Sequence, residues 1–322
     1  MLNIFIENVC SPVILFFILG ILSGFLKSDL KIPDQLSKFL SLYLMMAIGF
    51  KGGVAISQAK EFDIKMINLI SFSVIVGFFQ PFIAYFLLKK TTKLDKLTMA
   101  AISAHYGSVS MVTFLTTINF LDEHSIAYAG YVIAIVAIME TPAIISALLI
   151  VNHEKGSLSE VLKSKEVNIF KNGVLFLLIG SLVIGIISGT NGMEKMKGFL
   201  VNPFQGILAL FLLDMGLSVS RHASHLKEFN IRVIAFGIYM PFIGAGIGLL
   251  ISKIIHLDLG TATLFTTLCA SSSYIAATIA MKNSLPEAKA GIYLPLSLAI
   301  TFPFNISIGI PLYFFLTKLV LL

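Results

Sequence analysis

Charge is what this chain has least of. Only 12% of its 322 residues are Asp, Glu, Lys or Arg, against 57% hydrophobic residues and a mean hydropathy of +0.93. Soluble domains carry roughly a quarter charged residues, so a water-facing surface cannot be built all round and the remaining apolar surface faces lipid. The excess of Lys and Arg gives a net charge of +6. Those residues are scattered through polar connections without the aromatic interleaving of a nucleic-acid surface, which argues against a nucleic-acid partner. Cysteine is equally scarce. Cys10 and Cys269 form neither a disulfide framework nor a metal-ligand spacing and read as inert thiols. The chain has no His-Glu-x-x-His helix motif and no evident serine–histidine dyad, which argues against an intramembrane enzyme. A basic n-region is also missing: the apolar run Val13 to Leu22 follows Glu7 and no Lys or Arg, and is read as a retained first span rather than a signal peptide.

What is present is long apolar runs. At ~20 residues per crossing they predict an all-α integral membrane protein of about ten transmembrane helices: Ser11–Leu26, Leu36–Ile56, Ile67–Leu88, Leu94–Leu121, Ile126–Val151, Phe170–Ser188, Phe199–Val219, Ile231–Ile255, Leu259–Met281 and Gly291–Leu322. They do not alternate in polarity as barrel strands would. The longest polar stretch, Asn152 to Asn172, contains the capping-box pattern Ser157-Leu158-Ser159-Glu160. It divides the chain into a first repeat (1–152), a central loop (153–172) and a second repeat (173–322), with five spans on each side.

The halves resemble each other in order and at nearly constant spacing. Ala47-Ile48-Gly49 parallels Asp214-Met215-Gly216, and Glu61-Phe62-Asp63-Ile64-Lys65 parallels Glu228-Phe229-Asn230-Ile231-Arg232. Leu94-Asp95 parallels Leu257-Asp258, which lays Ser108-Val109-Ser110 over Ser271-Ser272-Ser273; Glu140-Thr141-Pro142 lies over Thr301-Phe302-Pro303. Five spans per half make the second half enter the membrane from the opposite side, the inverted-repeat plan of many secondary transporters. Basic residues concentrate on one side, among them Lys89, Lys90, Lys93, Lys96, Arg221 and Arg232, while the other side holds Lys60, Lys65, Lys195, Lys197, Lys253 and Lys318; Lys51 lies inside the second span. Positive charge marks the cytoplasmic side, so both termini are expected outside and the central loop inside.

The fourth span carries His105-Tyr106-Gly107-Ser108-Val109-Ser110 at its middle and the ninth carries Ala270-Ser271-Ser272-Ser273-Tyr274. Small hydroxyl residues with glycine suit helices that unwind at the midplane, and matched interruptions in two halves point to a transporter's binding site. Each restarted half-helix offers unpaired N–H groups and a partial positive charge at its N-terminus, so two of them meeting form an anion cradle without Lys or Arg. The competing reading is plain small-residue packing between helices. Two carboxylates lie at membrane depth, Glu140 and Asp214, where ionisable groups face a cavity or a partner. Glu140, with Thr301 and Asn305 beside Pro303 in the other half, reads as a set of cation ligands or hydrogen-bond orienters. His105 reads as a neutral hydrogen-bond partner before a proton relay.

These motifs resemble the sodium-dependent bicarbonate transporter family over nearly the whole chain. The resemblance rests on Ala104-His105-Tyr106-Gly107-Ser108-Val109-Ser110, Leu213-Asp214-Met215-Gly216-Leu217, Met139-Glu140, Ser273-Tyr274-Ile275-Ala276-Ala277, Leu285-Pro286-Glu287-Ala288, Tyr293-Leu294-Pro295-Leu296-Ser297-Leu298, Ile300-Thr301-Phe302-Pro303-Phe304-Asn305 and Gly309-Ile310-Pro311-Leu312-Tyr313. It implies ten spans in two inverted five-helix repeats, a mobile core against a scaffold, a homo-oligomer that is often a trimer, and a location in the cell membrane. It implies bicarbonate symported with a sodium ion, the anion against Gly107, Ser108, Ser110, Ser271, Ser272 and Ser273, and sodium at Ser110, Thr113, Thr301, Asn305 and Glu140. Some members answer to a cytoplasmic PII-like regulator; nothing in the central loop marks that partner here. Two other functions stay open at this point: a sodium-coupled carrier of another small anion such as a short carboxylate, and a non-transporting membrane sensor.

Overall fold

The computed structural model describes residues 6, 10–58, 64–152, 173–223, 229–274 and 276–321, and among these there is no strand. The central loop 153–172 with its capping box, Glu61 to Asp63, Glu228, Ile275 and the basic residues Lys60 and Lys227 lie outside the described residues. In chain order the main helices are α1 (Pro12–Phe25), α2 (Asp34–Gln58), α3 (Ile64–Thr91), α4 (Lys96–Gly107), α5 (Met111–Glu123), α6 (Val132–Asn152) and α7 (Gly173–Met196). They continue as α8 (Phe204–Ala223), α9 (Ile231–Ile254), α10 (Leu259–Ala270), α11 (Ala276–Ser284) and the rod α12 (Ala290–Leu321). Seven described helices are long and apolar enough to cross a membrane, and α1 and α10 are shorter apolar helices.

Two packing groups emerge. Helices α1, α2, α7 and α8 form the first, joined through glycines that bring backbones together. A Cβ at Gly20 of α1 would lie 2.2 Å from the Leu213 carbonyl oxygen and 3.1 Å from Gly216 Cα of α8. Likewise, a Cβ at Gly53 of α2 would lie 2.0 Å from the Leu182 oxygen and 2.9 Å from Gly185 Cα of α7. Gly20/Gly24, Gly49/Gly53, Ser181/Gly185 and Gly216/Ser220 are thus small-xxx-small pairs, which associate helices where the hydrophobic effect cannot. In the second group α3, α4 and α6 pack together, as do α9, α10 and α12. The outward faces remain apolar, with Phe16, Leu19, Ile184 and Ile187 exposed as lipid-facing side chains.

Three span boundaries differ from the sequence reading. Helix α6 starts at Val132 and not at Ile126, because Ser125 takes a left-handed φ of 54° and the following segment turns to bond Ala129 N–H to Thr261 Oγ1 at 2.8 Å. The polar Gly189-Thr190-Asn191-Gly192 stretch marks a kink rather than an end: Gly189 (φ 54°, ψ −151°) redirects the chain and α7 runs on to Met196, then through a π-helical stretch to Val201. Helix α8 accordingly begins at Phe204, after Pro203, and not at Phe199.

Candidate functional site: two broken helices that cross

The two interruptions are built alike. Helix α4 opens on Asp95, whose carboxylate accepts from Thr98 N–H at 2.8 Å; α10 opens on Asp258, which accepts from Thr261 N–H at 2.9 Å. Capping carboxylates satisfy orphan donors and favour the positive end of the helix. Each helix then runs 12 residues, about 18 Å at the α-helical rise, which is roughly half the bilayer with its head groups. Both stop at a serine in extended conformation, Ser108 (φ −82°, ψ 164°) and Ser271 (φ −84°, ψ 169°).

The extended segments cross and bond to each other. Ser273 N–H donates to the His105 carbonyl at 2.8 Å, and Ser110 N–H donates to Ser271 Oγ at 2.9 Å. In unbroken helices those two N–H groups would have gone to Cys269 O and Tyr106 O, four residues back. Both carbonyls are instead taken by one side chain, Gln80 of α3, whose Nε2 donates to Tyr106 O and to Cys269 O, each at 2.7 Å. Its neighbour Pro81 lies so close that a Cβ on Gly107 would be 2.3 Å from the proline Cγ. Glycine at 107 is therefore required by close approach, beyond its tendency to end a helix.

Beyond the crossing the chain restarts. Ser110 Oγ accepts from Thr113 N–H at 3.2 Å and from the Thr113 hydroxyl at 2.9 Å, capping α5; Ser273 Oγ accepts from Ala277 N–H at 3.3 Å in the first turn of α11. Met111 and Val112, first in α5, have no helical acceptor by position and carry the positive end of the helix dipole.

Helix α12 supplies the third wall. It contains π-helical stretches at Leu296–Thr301 and Asn305–Gly309, a widening of the helix that commonly accompanies functional sites. Thr301 donates to the Gly237 carbonyl of α9 at 2.7 Å and accepts the Tyr106 hydroxyl at 2.6 Å. Ser272 donates to Ser297 Oγ at 2.8 Å. Asn305 Nδ2 donates to the Ala270 carbonyl at 3.0 Å, and its Oδ1 accepts from the Tyr313 hydroxyl at 2.8 Å.

The fold therefore brings together Gly107, Ser108, Ser110, Thr113, Ser271, Ser272, Ser273, Thr301 and Asn305. Glu140 is buried at 6% exposure on α6, next to Met139, whose carbonyl abuts Gly77 of α3. Among the described residues, no hydrogen bond or ion pair ties it to the crossing. Asp214 belongs to the other packing group, beside the Ser37 hydroxyl of α2 and Arg221. The His105 ring sits against Tyr293, with Nδ1 donating to the Ala101 carbonyl at 2.7 Å and Nε2 3.1 Å from Thr278 Oγ1. That Nδ1 bond ties the ring to its own helix as a hydrogen-bond partner. Lys51 of α2 pairs with Asp122 of α5 at 3.8 Å, at 25% and 42% side-chain exposure. Cys10 is exposed and Cys269 buried, and both are free thiols.

Sequence reasoning missed Gln80, the Tyr106 hydroxyl and Ser297. The available signal for Gln80 was an amide at membrane depth in an otherwise apolar run, next to an intrahelical proline. Among the described residues, two buried side-chain atoms at the crossing have no partner: Ser108 Oγ and Gln80 Oε1. Among the described residues no lysine or arginine is buried.

Long apolar helices with two interrupted helices crossing among buried hydroxyls define a multi-pass membrane protein of the transporter class. The chain belongs to the Na+-dependent bicarbonate transporter superfamily, whose family model matches residues 12–318. No curated protein matches it.

Proposed function

We propose that this protein carries bicarbonate together with sodium by alternating access, and that the anion binds where the two interrupted helices cross. The observation that carries this reading is the buried Ser108 hydroxyl, without a partner among the described residues, beside the first turn of α5, a donor-rich place supplied by backbone and hydroxyl groups and not by a fixed cation. A singly charged anion suits it; a fixed Lys or Arg would hold the anion too tightly after sodium leaves. Sodium would take hydroxyl and amide oxygens around Ser110, Thr113, Thr301 and Asn305, the hard oxygen ligands such a cation prefers. Glu140 would then act through charge on the first-half side.

Ten spans in two inverted halves, 1–152 and 173–322, fit the matched features. Asp95 and Asp258 cap equivalent helices, and Gly77/Pro81 of α3 have the same spacing as Gly237/Pro241 of α9. The contact of Gly49 with Leu178 and Ser181 is repeated by that of Gly216 with Phe17 and Gly20. The broken-helix group would be the moving core and the glycine-joined group the scaffold. Both termini outside and a cytoplasmic central loop follow from the loop charges, and a cell-membrane location from the family resemblance. A homo-oligomer, three copies in related carriers, and a PII-like regulator rest on the family resemblance.

The test is uptake of labelled bicarbonate into proteoliposomes with and without an inward sodium gradient. Uptake that rises with the gradient is expected; sodium-independent or absent uptake would overturn the reading, and uptake of acetate or formate in its place would assign another small anion.

A further inference from the structure

The crossing is rich in donors, which any small anion would accept. Its one conspicuous acceptor is different in kind. Both amide hydrogens of Gln80 are committed to carbonyl oxygens, Tyr106 O and Cys269 O. An amide oxygen cannot face a carbonyl oxygen, so the roll of the side chain is fixed by its two partners. Oε1 is thereby held at the crossing, on a residue 2% exposed, with no donor among the described residues to satisfy it. Leaving a buried acceptor unpaired is unfavourable, so the arrangement calls for a donor brought by the ligand.

Bicarbonate carries one. It presents oxygen acceptors to the hydroxyl and N–H groups and a single O–H that must be given to an acceptor. Formate, acetate and nitrate offer the same charge and similar planar oxygens without any O–H. We propose that Gln80 is the specificity-determining residue of this carrier: its Oε1 accepts the bicarbonate O–H while Ser108 Oγ donates to an anion oxygen. The inference rests on the bicarbonate reading and adds the basis of discrimination. Sites built around a hydrogen bond to a substrate O–H reject analogues lacking it far more strongly than apolar pockets reject a missing methyl group. Position 240 of α9, which corresponds to Gln80 by the shared glycine and proline spacing, is a methionine, so the acceptor occurs once and can orient one O–H.

The first experiment uses the unaltered protein: inhibition of sodium-driven labelled-bicarbonate uptake by unlabelled bicarbonate, formate and nitrate. Formate and nitrate are expected to inhibit at least about tenfold more weakly than bicarbonate; equal inhibition would overturn the proposal while leaving bicarbonate transport standing. The second uses Gln80→Met, the residue found at position 240, which removes the acceptor together with the two donors and adds no charge beside the anion. The bicarbonate-to-formate selectivity ratio is expected to fall by about tenfold or more in Gln80→Met. An unchanged ratio with a raised sodium requirement would make Oε1 a cation ligand and contradict the proposal. If the unaltered protein takes up no bicarbonate at all, the functional reading fails first, and that outcome is visible before any variant is made.

Discussion

At the first break, Gln80 and Pro81 of α3 lie against Tyr106 and Gly107; in the corresponding stretch of α9 the chain has Met240 and Pro241, and the residue matching Gly107 is Ala270. The backbones of the two breaks are nearly superposable in their caps, lengths and terminal dihedrals. Their surroundings are not: Glu140 on α6 corresponds to Thr301 on α12, and only Thr301 bonds into the crossing. A two-fold backbone with a one-sided set of side chains can cradle an anion from both directions and still tell one end of it from the other. In the proposed carrier the symmetry would serve the alternation of access, and the departures from it would serve recognition.

The largest effect should come from disturbing the close approach on one side only. Gly107→Ala forces a Cβ into Pro81 and toward Ala143 Cβ at 3.1 Å. Overpacking of this kind costs about 1–3 kcal/mol, so uptake should fall severely and thermal unfolding should move down. Ala270→Gly, the mirrored change, adds only a helix-terminal glycine and should lose less than about 1 kcal/mol. Equal effects at 107 and 270 would mean that the breaks are interchangeable.

Next come the serines. Ser271→Ala removes the acceptor of Ser110 N–H and leaves a buried donor orphaned, which should lower stability by about 1–3 kcal/mol. Ser108→Ala breaks no hydrogen bond among the described residues, so the unfolding temperature should hold while the KM for bicarbonate rises. A destabilised Ser108→Ala with an unchanged KM would remove Ser108 from the anion site. Glu140→Gln tests the carboxylate side: the sodium concentration for half-maximal uptake should rise several-fold, and unchanged sodium dependence would exclude Glu140 from cation binding. Smallest of all, Lys51→Met deletes a partly exposed pair and should change stability by no more than about 1 kcal/mol, with bicarbonate and sodium constants unaltered.

Much of this was legible in the sequence because it is local. Ser108-Val109-Ser110 and Ser271-Ser272-Ser273 are runs of helix-poor hydroxyl residues inside apolar spans, and the matched pairs Leu94-Asp95 and Leu257-Asp258 set them in register, although the capping role of both aspartates shows only in the structure. Thr301 and Asn305 were visible beside a proline. Gln80 was not, since its role depends on two carbonyls that lie 26 and 189 positions away along the chain. The pairing of Gly20 with Gly216 and of Gly53 with Gly185 was hidden for the same reason: spacing along a helix shows a smooth face but not its partner. The continuation of α7 through Gly189 was misread because a glycine that kinks a helix and one that ends it look alike until the flanking turns are placed.

The most direct test of the central claim is a structure determined in lipid with sodium and bicarbonate present. The account predicts planar anion density between residues 107–110 and 271–273, touching Ser108 Oγ. Density for the anion elsewhere, with the crossing dry and closed, would contradict it.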